Sequence, residues 1–410
     1  MPLDTLSMAV SLHRLALREG NADLHRMAYS ARSFALEEGR FSFDTGSLPP
    51  AEVGLDPSHI AVTGLNIGMD SLYYAGNDIR AFIRTFELKE RSGLEITSGE
   101  GRLVSDAHAL QVPSFSIKTQ DSALELNASM DWDAMDAGKE GTVQARLMAD
   151  IGKNDLLKLV TGIPADFVRQ YPSRPLQVRA GIDGSLNDLK LTQLSFALPG
   201  AFRAEADGHL AFVLDSTRRN GTLHLAMGTG DLGFVETLSG GVSIPQGMRL
   251  DGLVSLKGNR VGVDMDLREG KRGRVTLAAG YDLQEESYRA QIRIDTLNLH
   301  AFLPDDSLYR FDASLWAEGR GLDFFSPRTQ MKVKGGVSHL RYGRRLFSGL
   351  ELEGGLEHSQ GKLSLSVSDH AVDARMNLNA SLLPNQVKAD LDGQVKRLDL
   401  KSFGADGKRS

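Results

Sequence analysis

Histidines and paired acids are the residues of this chain whose types could support acid–base or metal chemistry, but their spacing keeps them apart. No two of the ten histidines are four positions apart, the spacing that places two metal ligands on one helix face. Glu285 and Glu286, like Asp305 and Asp306, lie in turn-like sequence, which favours solvated turn residues over catalytic carboxylates. No nucleophile-elbow or phosphate-loop motif occurs. We therefore expect no enzymatic activity, no metal and no cofactor.

One glycine motif resembles a dinucleotide-binding fingerprint. Gly228, Gly230 and Gly233 match Gly-x-Gly-x-x-Gly after a strand-like segment, and Asp251 stands near the position of a ribose-binding acid. The fingerprint also requires a parallel βαβ unit with a helix of real length. The segment after Gly233 is too short for such a helix, so the motif predicts a turn at a strand end.

One cluster of basic residues has two interpretations. Arg341, Arg344 and Arg345 could meet lipid phosphates at a rim, but a solvated hairpin corner is the favoured interpretation. Over the whole chain the net charge is -6, which argues against a nucleic-acid surface.

Composition limits the remaining classes of protein. Cysteine is absent, so neither disulfides nor thiolate metal sites are possible. No run approaches the roughly 18 apolar residues that a transmembrane helix needs. The first twenty residues lack the pattern of a signal peptide and resemble sequence from the middle of a β-strand. The chain is therefore expected to be a central piece of a longer protein.

Alternation of apolar and polar residues is the dominant pattern and predicts strands with one apolar face. Long helical patterns are nearly missing, so strands follow strands through short turns and the sheet should be antiparallel. Ten residues are predicted to share the apolar face and to line the groove that this face would enclose: Val261, Val263, Met265, Leu267, Leu277, Leu363, Leu365, Val367, Met376 and Leu378.

The chain is expected to consist of two continuous segments. Residues 154–171 form the best helix candidate, broken near Pro164, and Pro172 and Pro175 then mark a seam. We expect a first β-segment over residues 1–172 and a second over residues 173–410.

A short motif follows several strands. An Asp-Leu or Asn-Leu step ends an alternating stretch and precedes a short apolar turn or helix. The polar residue could cap that helix by accepting from a backbone N–H. The motif is either a repeated structural unit or an ordinary boundary between strand and turn, and both interpretations stay open. The four copies begin at Asp155, Asp231, Asn298 and Asp399.

The number of strands restricts the architecture. At one strand per dozen residues the chain holds roughly 30 strands, whereas open twisted sheets rarely exceed about ten without curling or splitting. The apolar faces could pair in sandwiches, or one sheet could curl into a trough. The alternation and the lack of long helical patterns predict an all-β fold with few short helices. Because no linker-like stretch divides the chain into sandwich domains, we predict an elongated, twisted, mostly antiparallel sheet curled into a U-shaped groove with an apolar interior.

Several stretches resemble the TamB/AsmA-like proteins of Gram-negative bacteria, in the style found in Bacteroidetes. They are "LNIGMDSLYYAG", "ELKERSGLEI", "FSIKTQDSALEL", the segment from Ala313 to Asp369, and the closing "QVKRLDLKSFG". The resemblance implies a periplasmic β-groove anchored in the inner membrane by a preceding segment. A following segment would meet an outer-membrane assembly protein of the TamA/BamA type.

The resemblance also implies a function in translocation, assembly and lipid transport during outer-membrane biogenesis. Exposing two acyl tails of about 15 methylenes each to water would cost roughly 24 kcal/mol of free energy. A continuous apolar lining would remove most of that cost. We expect a periplasmic segment that shields phospholipid acyl chains. The alternatives are a chaperone-like scaffold for outer-membrane β-barrel and autotransporter proteins, a secreted β-solenoid adhesin, and an apolar interior that is simply a packed core.

Overall fold

A computed structural model describes residues 7–45, 49–136, 138–160, 162–213, 215–383 and 386–399. These residues form 26 strands, three short α-helices and two 3₁₀ turns. Every strand pairing within the two units defined below is antiparallel, so the prediction of an all-β, antiparallel fold with few short helices is confirmed.

The chain divides into two compact units, Met1–Leu214 and Asp215–Ser410, called unit 1 and unit 2. The strands of unit 1 are β1 Ser7–Ser11, β2 Arg14–Arg18, β3 Asn21–Asp23, β4 Ala28–Asp44, β5 His59–Ala75, β6 Asp78–Glu90, β7 Glu95–Ile96, β8 Ser98–Ser105, β9 Ala109–Lys118, β10 Ala123–Asp131, β11 Val143–Ile151, β12 Leu176–Ser185, β13 Asp188–Leu198 and β14 Phe202–Ala211. Its helical elements are the 3₁₀ turn Trp132–Met135, α1 Lys153–Leu159 and α2 Ala165–Gln170.

Unit 2 is a meander in which almost every strand pairs with the one before and after it. Its strands are β15 Asn220–Thr229, β16 Arg249–Lys257, β17 Arg260–Glu269, β18 Gly273–Asp282, β19 Ser287–Asn298, β20 Leu308–Arg320, β21 Gln330–Tyr342, β22 Arg345–Phe347, β23 Leu350–Glu357, β24 Gln360–Ser368, β25 Val372–Leu383 and β26 Gln386–Leu398. Its helical elements are α3 Gly233–Ser239 and the 3₁₀ turn Leu299–Ala301.

The predicted seam at residues 172/173 lies inside unit 1. β11 ends before it and β12 begins after it, yet the two strands pair along nine residues. The helical segment between them is interrupted as its proline predicts, since Pro164 is the cap residue that precedes α2.

The Asp/Asn-Leu motif marks the change from strand to helix in all three copies that the structure describes. It lies at the start of α1 after β11, before α3 after β15, and at the 3₁₀ turn after β19. In unit 2, β15, β19 and β26 run in the same direction because even numbers of antiparallel pairings separate them. The motif copies of this unit therefore follow strands whose C-terminal ends lie on the same side of the sheet, a side that we call the helical edge. The fourth copy begins at Asp399, the last described residue, and its remainder lies outside the described residues.

The capping role predicted for the motif is wrong for two copies. Gly152, not Asp155, is the cap residue of α1, and Asn298 makes no side-chain cap bond. The cap residue of α3 is Leu232, not Asp231, although the Asp231 side chain accepts a hydrogen bond from the first amide of the helix, that of Gly233, at 3.1 Å. Asp155 instead lies buried in the first turn of α1, where the hydroxyls of Thr119 and Ser122 donate to its carboxylate.

The buried apolar residues lie mostly at strand ends and turns. In unit 1 they include Leu198 at the end of β13 and Ala201 in the following turn. In unit 2 they include Leu232 and Phe234 around α3, Leu297 near the end of β19 and Ala371 before β25. Because the strand centres contribute little to this set, the sheet faces are not filled like the interior of a sandwich.

The motifs set aside in the sequence have the ordinary structures expected of them. The glycine motif joins β15 to the seven-residue α3, and β15 pairs antiparallel with β16. Both acidic pairs lie in turns, and Arg344 occupies the β21–β22 hairpin corner. Among the described residues, no helix has the length and apolarity needed to cross a membrane.

Candidate functional site

The strand register of unit 2 aligns apolar residues in rows that run across the sheet. Directly paired residues have side chains on the same face, because alternation along each strand is kept in register by each pairing. One row crosses eleven strands without a polar side chain, over about 48 Å at about 4.8 Å per step. Its members are Leu225, Gly252, Met265, Leu277, Ile292, Leu315, Gly335, Leu352, Leu365, Met376 and Gly393.

Three parallel rows complete this surface, which we call the apolar face. One contains Val263, Leu363 and Leu378, and another contains Leu267 and Val367. The third contains Val261 and passes through Tyr281, Tyr288 and Met331. All ten residues predicted to share a face therefore lie on the apolar face, although they come from two pairs of strands that five other strands separate in the chain.

None of the ten residues is buried. Nine have intermediate exposure, and the side chain of Met376 is 40 % exposed. A face covered by a second packed layer would bury residues of these types almost completely. Toward β26 the face becomes barer, with Leu391 at 64 % and Val395 at 62 % exposure. The apolar face is a laterally packed surface that lacks the burial of a filled core.

The opposite surface of unit 2, the polar face, carries charged and amide side chains. Arg289 on β19 bonds to Glu318 on β20 at 3.2 Å, and Lys334 on β21 bonds to Glu353 on β23 at 2.8 Å. Each pair is directly opposite in the ladder. Such exposed pairs contribute little to stability, about 0.2–1 kcal/mol. Their position indicates which side of the sheet water wets.

Asp266 forms the strongest charge cluster of the polar face. Arg274 donates from Nε and Nη2 to its two carboxylate oxygens, both at 3.0 Å, and Arg268 donates to Oδ2 at 3.0 Å. Hydrogen bonds from Arg274 and then Arg268 lower the pKa of Asp266 below its ordinary value. The carboxylate is thus committed to two guanidinium groups and is unsuited to act as a general base.

A cavity of about 1740 Å³ in unit 2 lies mainly along the polar face. Residues from β17 to β26 border it, so the sheet is curved there. Its lining includes one cross-strand row of the polar face, composed of Arg289, Glu318, Lys332, Gly355, Lys362 and Asn379. A second cavity of about 540 Å³, bordered by Asp251, Asp264 and Arg293, also follows the polar face. Both cavities also border residues of the apolar face, among them five of the predicted lining residues: Val261, Leu363 and Leu378 at the larger cavity, and Met265 and Leu277 at the smaller one.

Unit 1 has the same two-sided construction. One row of apolar residues and a glycine crosses it from β2 to β14 through paired positions. The row consists of Leu17, Phe34, Met69, Ile83, Gly101, Phe115, Leu126, Leu147, Ala180, Leu194 and Ala206. Sequence reasoning proposed no lining residues in this unit, although the alternation in "ALELNASM" carried the signal.

A second feature missed from the sequence is the loop between β20 and β21. Leu322, Phe324 and Phe325 in this loop are all exposed. The signal available was three large apolar residues within "GLDFFSP", a segment bounded by glycine and proline where turn sequences are usually polar. Among the described residues no group of three or more His, Asp or Glu side chains is placed to hold a metal ion.

No family model, curated protein or solved structure matches this chain in comparisons with known proteins.

Proposed function

We propose that the apolar face of unit 2 shields phospholipid acyl chains from water, in the manner of a lipid-carrying β-groove of the TamB/AsmA-like kind. The observation that supports this function is the row from Leu225 to Gly393, apolar at every step and unburied at Leu365 and Met376. An acyl chain lying along such a row exchanges water for methyl and methylene contacts on one side, at about 0.8 kcal/mol per methylene. No specific pocket and no chemical step is required.

In this proposal the protein is not an enzyme and acts in the periplasm during transport between the inner and outer membranes. The polar face stays in water, where its charged pairs keep the sheet soluble. The apolar face carries lipid tails, and headgroups remain outside at the strand edges. The proposal includes anchoring in the inner membrane and contact with an outer-membrane assembly protein of the TamA/BamA type as partners of this transport.

A photo-crosslinking amino acid at Leu365 tests the proposal, with the same probe at Ser366 as the matched control. Leu365 and Ser366 are neighbours on β24 whose side chains point to opposite faces. In a Gram-negative host, irradiation should attach phospholipid at position 365 and little at position 366. Capture of protein side chains alone at position 365, or equal lipid capture at both positions, would contradict the proposal.

One observation favours a second function, a scaffold that holds extended segments of other proteins. All thirteen residues of β26 are exposed, and among the described residues β26 pairs only with β25. An open edge with exposed apolar residues accepts an added strand through backbone hydrogen bonds. Crosslinks from β26 to unfolded barrel proteins, together with no lipid at Leu365, would favour the scaffold.

A further inference from the structure

The connection between β20 and β21, residues 321–329, presents an exposed apolar cluster. Leu322 is 64 % exposed, Phe324 46 % and Phe325 43 %. Single exposed apolar side chains are common on proteins, but three within four residues of one loop are a concentration of exposed apolar residues that calls for an explanation such as an interaction site.

The loop is held in a fixed shape by its own hydrogen bonds. The amides of Phe325 and Ser326 donate to the side chain and the carbonyl of Asp323, both at 3.0 Å. The buried hydroxyl of Thr329 donates to the Asp323 carbonyl at 2.5 Å. At the loop base Gly321 adopts a left-handed φ of 77°, and an added Cβ would come within 2.8 Å of the Thr329 hydroxyl oxygen. The apolar side chains are therefore displayed by an ordered loop, and binding would cost little further ordering.

The patch adjoins one end of the apolar face. Gly319, two residues before Gly321, pairs with Tyr288 and Met331 in the apolar row that contains Val261, the row nearest this end of the strands. The Gly321 amide donates to the Glu286 carbonyl at 3.0 Å, which joins the loop to the β18–β19 turn and its exposed Leu283. Both connections lie at the edge opposite the helical edge. The loop therefore leaves the sheet at the end of the strands where this apolar row lies.

Two arginines flank the patch. Arg320 precedes the loop, on the polar-face side of β20 at the border of the larger cavity, and Arg328 lies within the loop. Both are exposed, and neither forms an ion pair with any residue that the structure describes. The Asp323 carboxylate between them is engaged by the Phe325 amide. Guanidinium groups beside apolar side chains match the phosphate layer and the acyl boundary of a bilayer. Glu285 and Glu286 in the neighbouring turn moderate this attraction, so apolar insertion should be the larger contribution.

We propose that the β20–β21 loop is a bilayer-contact element. Leu322, Phe324 and Phe325 insert at the boundary between headgroups and acyl chains, while Arg320 and Arg328 contact lipid phosphates. The loop would thereby bring the end of the apolar face against a phospholipid surface, where tails can pass between them. The inference rests on the proposed function for its purpose, but membrane contact by the loop can be measured independently.

The absence of cysteine allows a clean probe of insertion. The full chain carrying Leu322→Cys would be labelled with an environment-sensitive fluorophore and mixed with vesicles of phosphatidylethanolamine and phosphatidylglycerol in equal parts. The control is Leu24→Cys, an equally bare leucine in a turn of unit 1. We expect a blue shift, with quenching by spin-labelled lipid, at position 322 and not at position 24. No response at position 322, or the same response at both positions, would overturn the proposal.

Affinity provides the second measurement. Replacing Phe324 and Phe325 by Ala should weaken vesicle flotation about tenfold or more, whereas Leu24→Ala leaves it unchanged. Arg320→Gln with Arg328→Gln should weaken binding about tenfold on the anionic vesicles and much less on phosphatidylcholine alone, while Lys271→Gln at another exposed turn has little effect. A patch that binds only a protein would leave wild-type chain unbound to vesicles, which also overturns the proposal.

Failure of the loop and failure of the groove have different outcomes. If the fluorophore at position 322 shows no blue shift while lipid is captured at Leu365, only the proposed bilayer contact is contradicted. A responsive probe at position 322 with no lipid captured at Leu365 supports the bilayer contact and removes acyl-chain shielding.

Discussion

Leu365 on β24 lies directly opposite Met376 on β25, and Ser364 lies opposite Asn377 one position away in the same two strands. The first pair belongs to the apolar face and the second to the polar face. These two consecutive cross-strand pairs of one hairpin thus point to opposite faces of a single sheet, one apolar and one polar. Any function of the apolar face should respond to the first pair and not to the second.

Replacing Leu365 and Met376 together by Gln should reduce the phospholipid that co-purifies with the chain about threefold or more. Two amides facing an acyl chain without partners cost about 1–2 kcal/mol each. Lipid phosphorus per protein is the measurement, and Ser364→Gln with Asn377→Gln is the matched control. Because neither Leu365 nor Met376 is buried, both variants should remain folded by circular dichroism. Equal lipid loss in the two variants would contradict the assignment of faces.

Glycines on the apolar face allow a separate test of its packing. An added Cβ at Gly354 would meet Leu363 Cδ1 at 2.8 Å, the Lys362 carbonyl oxygen at 3.0 Å and Val333 Cγ1 at 3.2 Å. Gly354→Ala should therefore lower the free energy of unfolding by about 1–3 kcal/mol. At Gly280 on the polar face the nearest atom, the Val261 carbonyl oxygen, is 3.9 Å away, so Gly280→Ala should be neutral or slightly stabilising. Urea unfolding of both variants measures the difference, and similar values for the two would show that the lateral packing is loose.

The sequence allowed the class of fold and the membership of the apolar face to be predicted, because period-two alternation is a local property. Val261, Val263, Met265 and Leu267 alternate in the sequence just as they do on β17. The placement of this strand's apolar residues in the same rows as Leu365, about a hundred residues later, depends on turn lengths and bulges in every intervening hairpin. Small errors in those lengths would have moved whole strands to the other face.

Contacts between distant residues could not be read from the sequence. Asp155 was expected to cap its helix, whereas its partners Thr119 and Ser122 lie more than thirty positions earlier. The exposure of Phe324 and Phe325 was also hidden, since apolar residues in a loop are as compatible with burial as with display. What failed in each case was the prediction of tertiary neighbours, not of local structure.

Asp312 supports a prediction about acid stability. This buried residue accepts from the Thr296 amide at 2.8 Å and from Arg310 Nε at 2.6 Å, and His339 Nδ1 lies 3.7 Å away. Thr296 has a left-handed φ of 47° within the bulge of β19, which is a strained backbone conformation. The hydrogen bond from its amide to Asp312 therefore helps to hold this bulge in place. Burial opposes ionisation, but Arg310 and the Thr296 amide outweigh it and lower the pKa of Asp312 below its ordinary value.

A lowered carboxyl pKa stabilises the fold fully above the ordinary aspartate value of about 4, and that contribution is lost as the pH falls through the folded-state value. Asp312→Asn should therefore cost about 1–3 kcal/mol of unfolding free energy at pH near 6, because the amide keeps one acceptor oxygen but loses the negative charge and the second oxygen that Arg310 and the Thr296 amide share between them. The gap between wild type and variant should narrow on acidification below about pH 4. Urea unfolding across this range measures the gap, with Asp305→Asn in an exposed turn as the control. A gap that stays constant down to pH near 3 would show that the carboxylate of Asp312 does not hold the bulge through its charge.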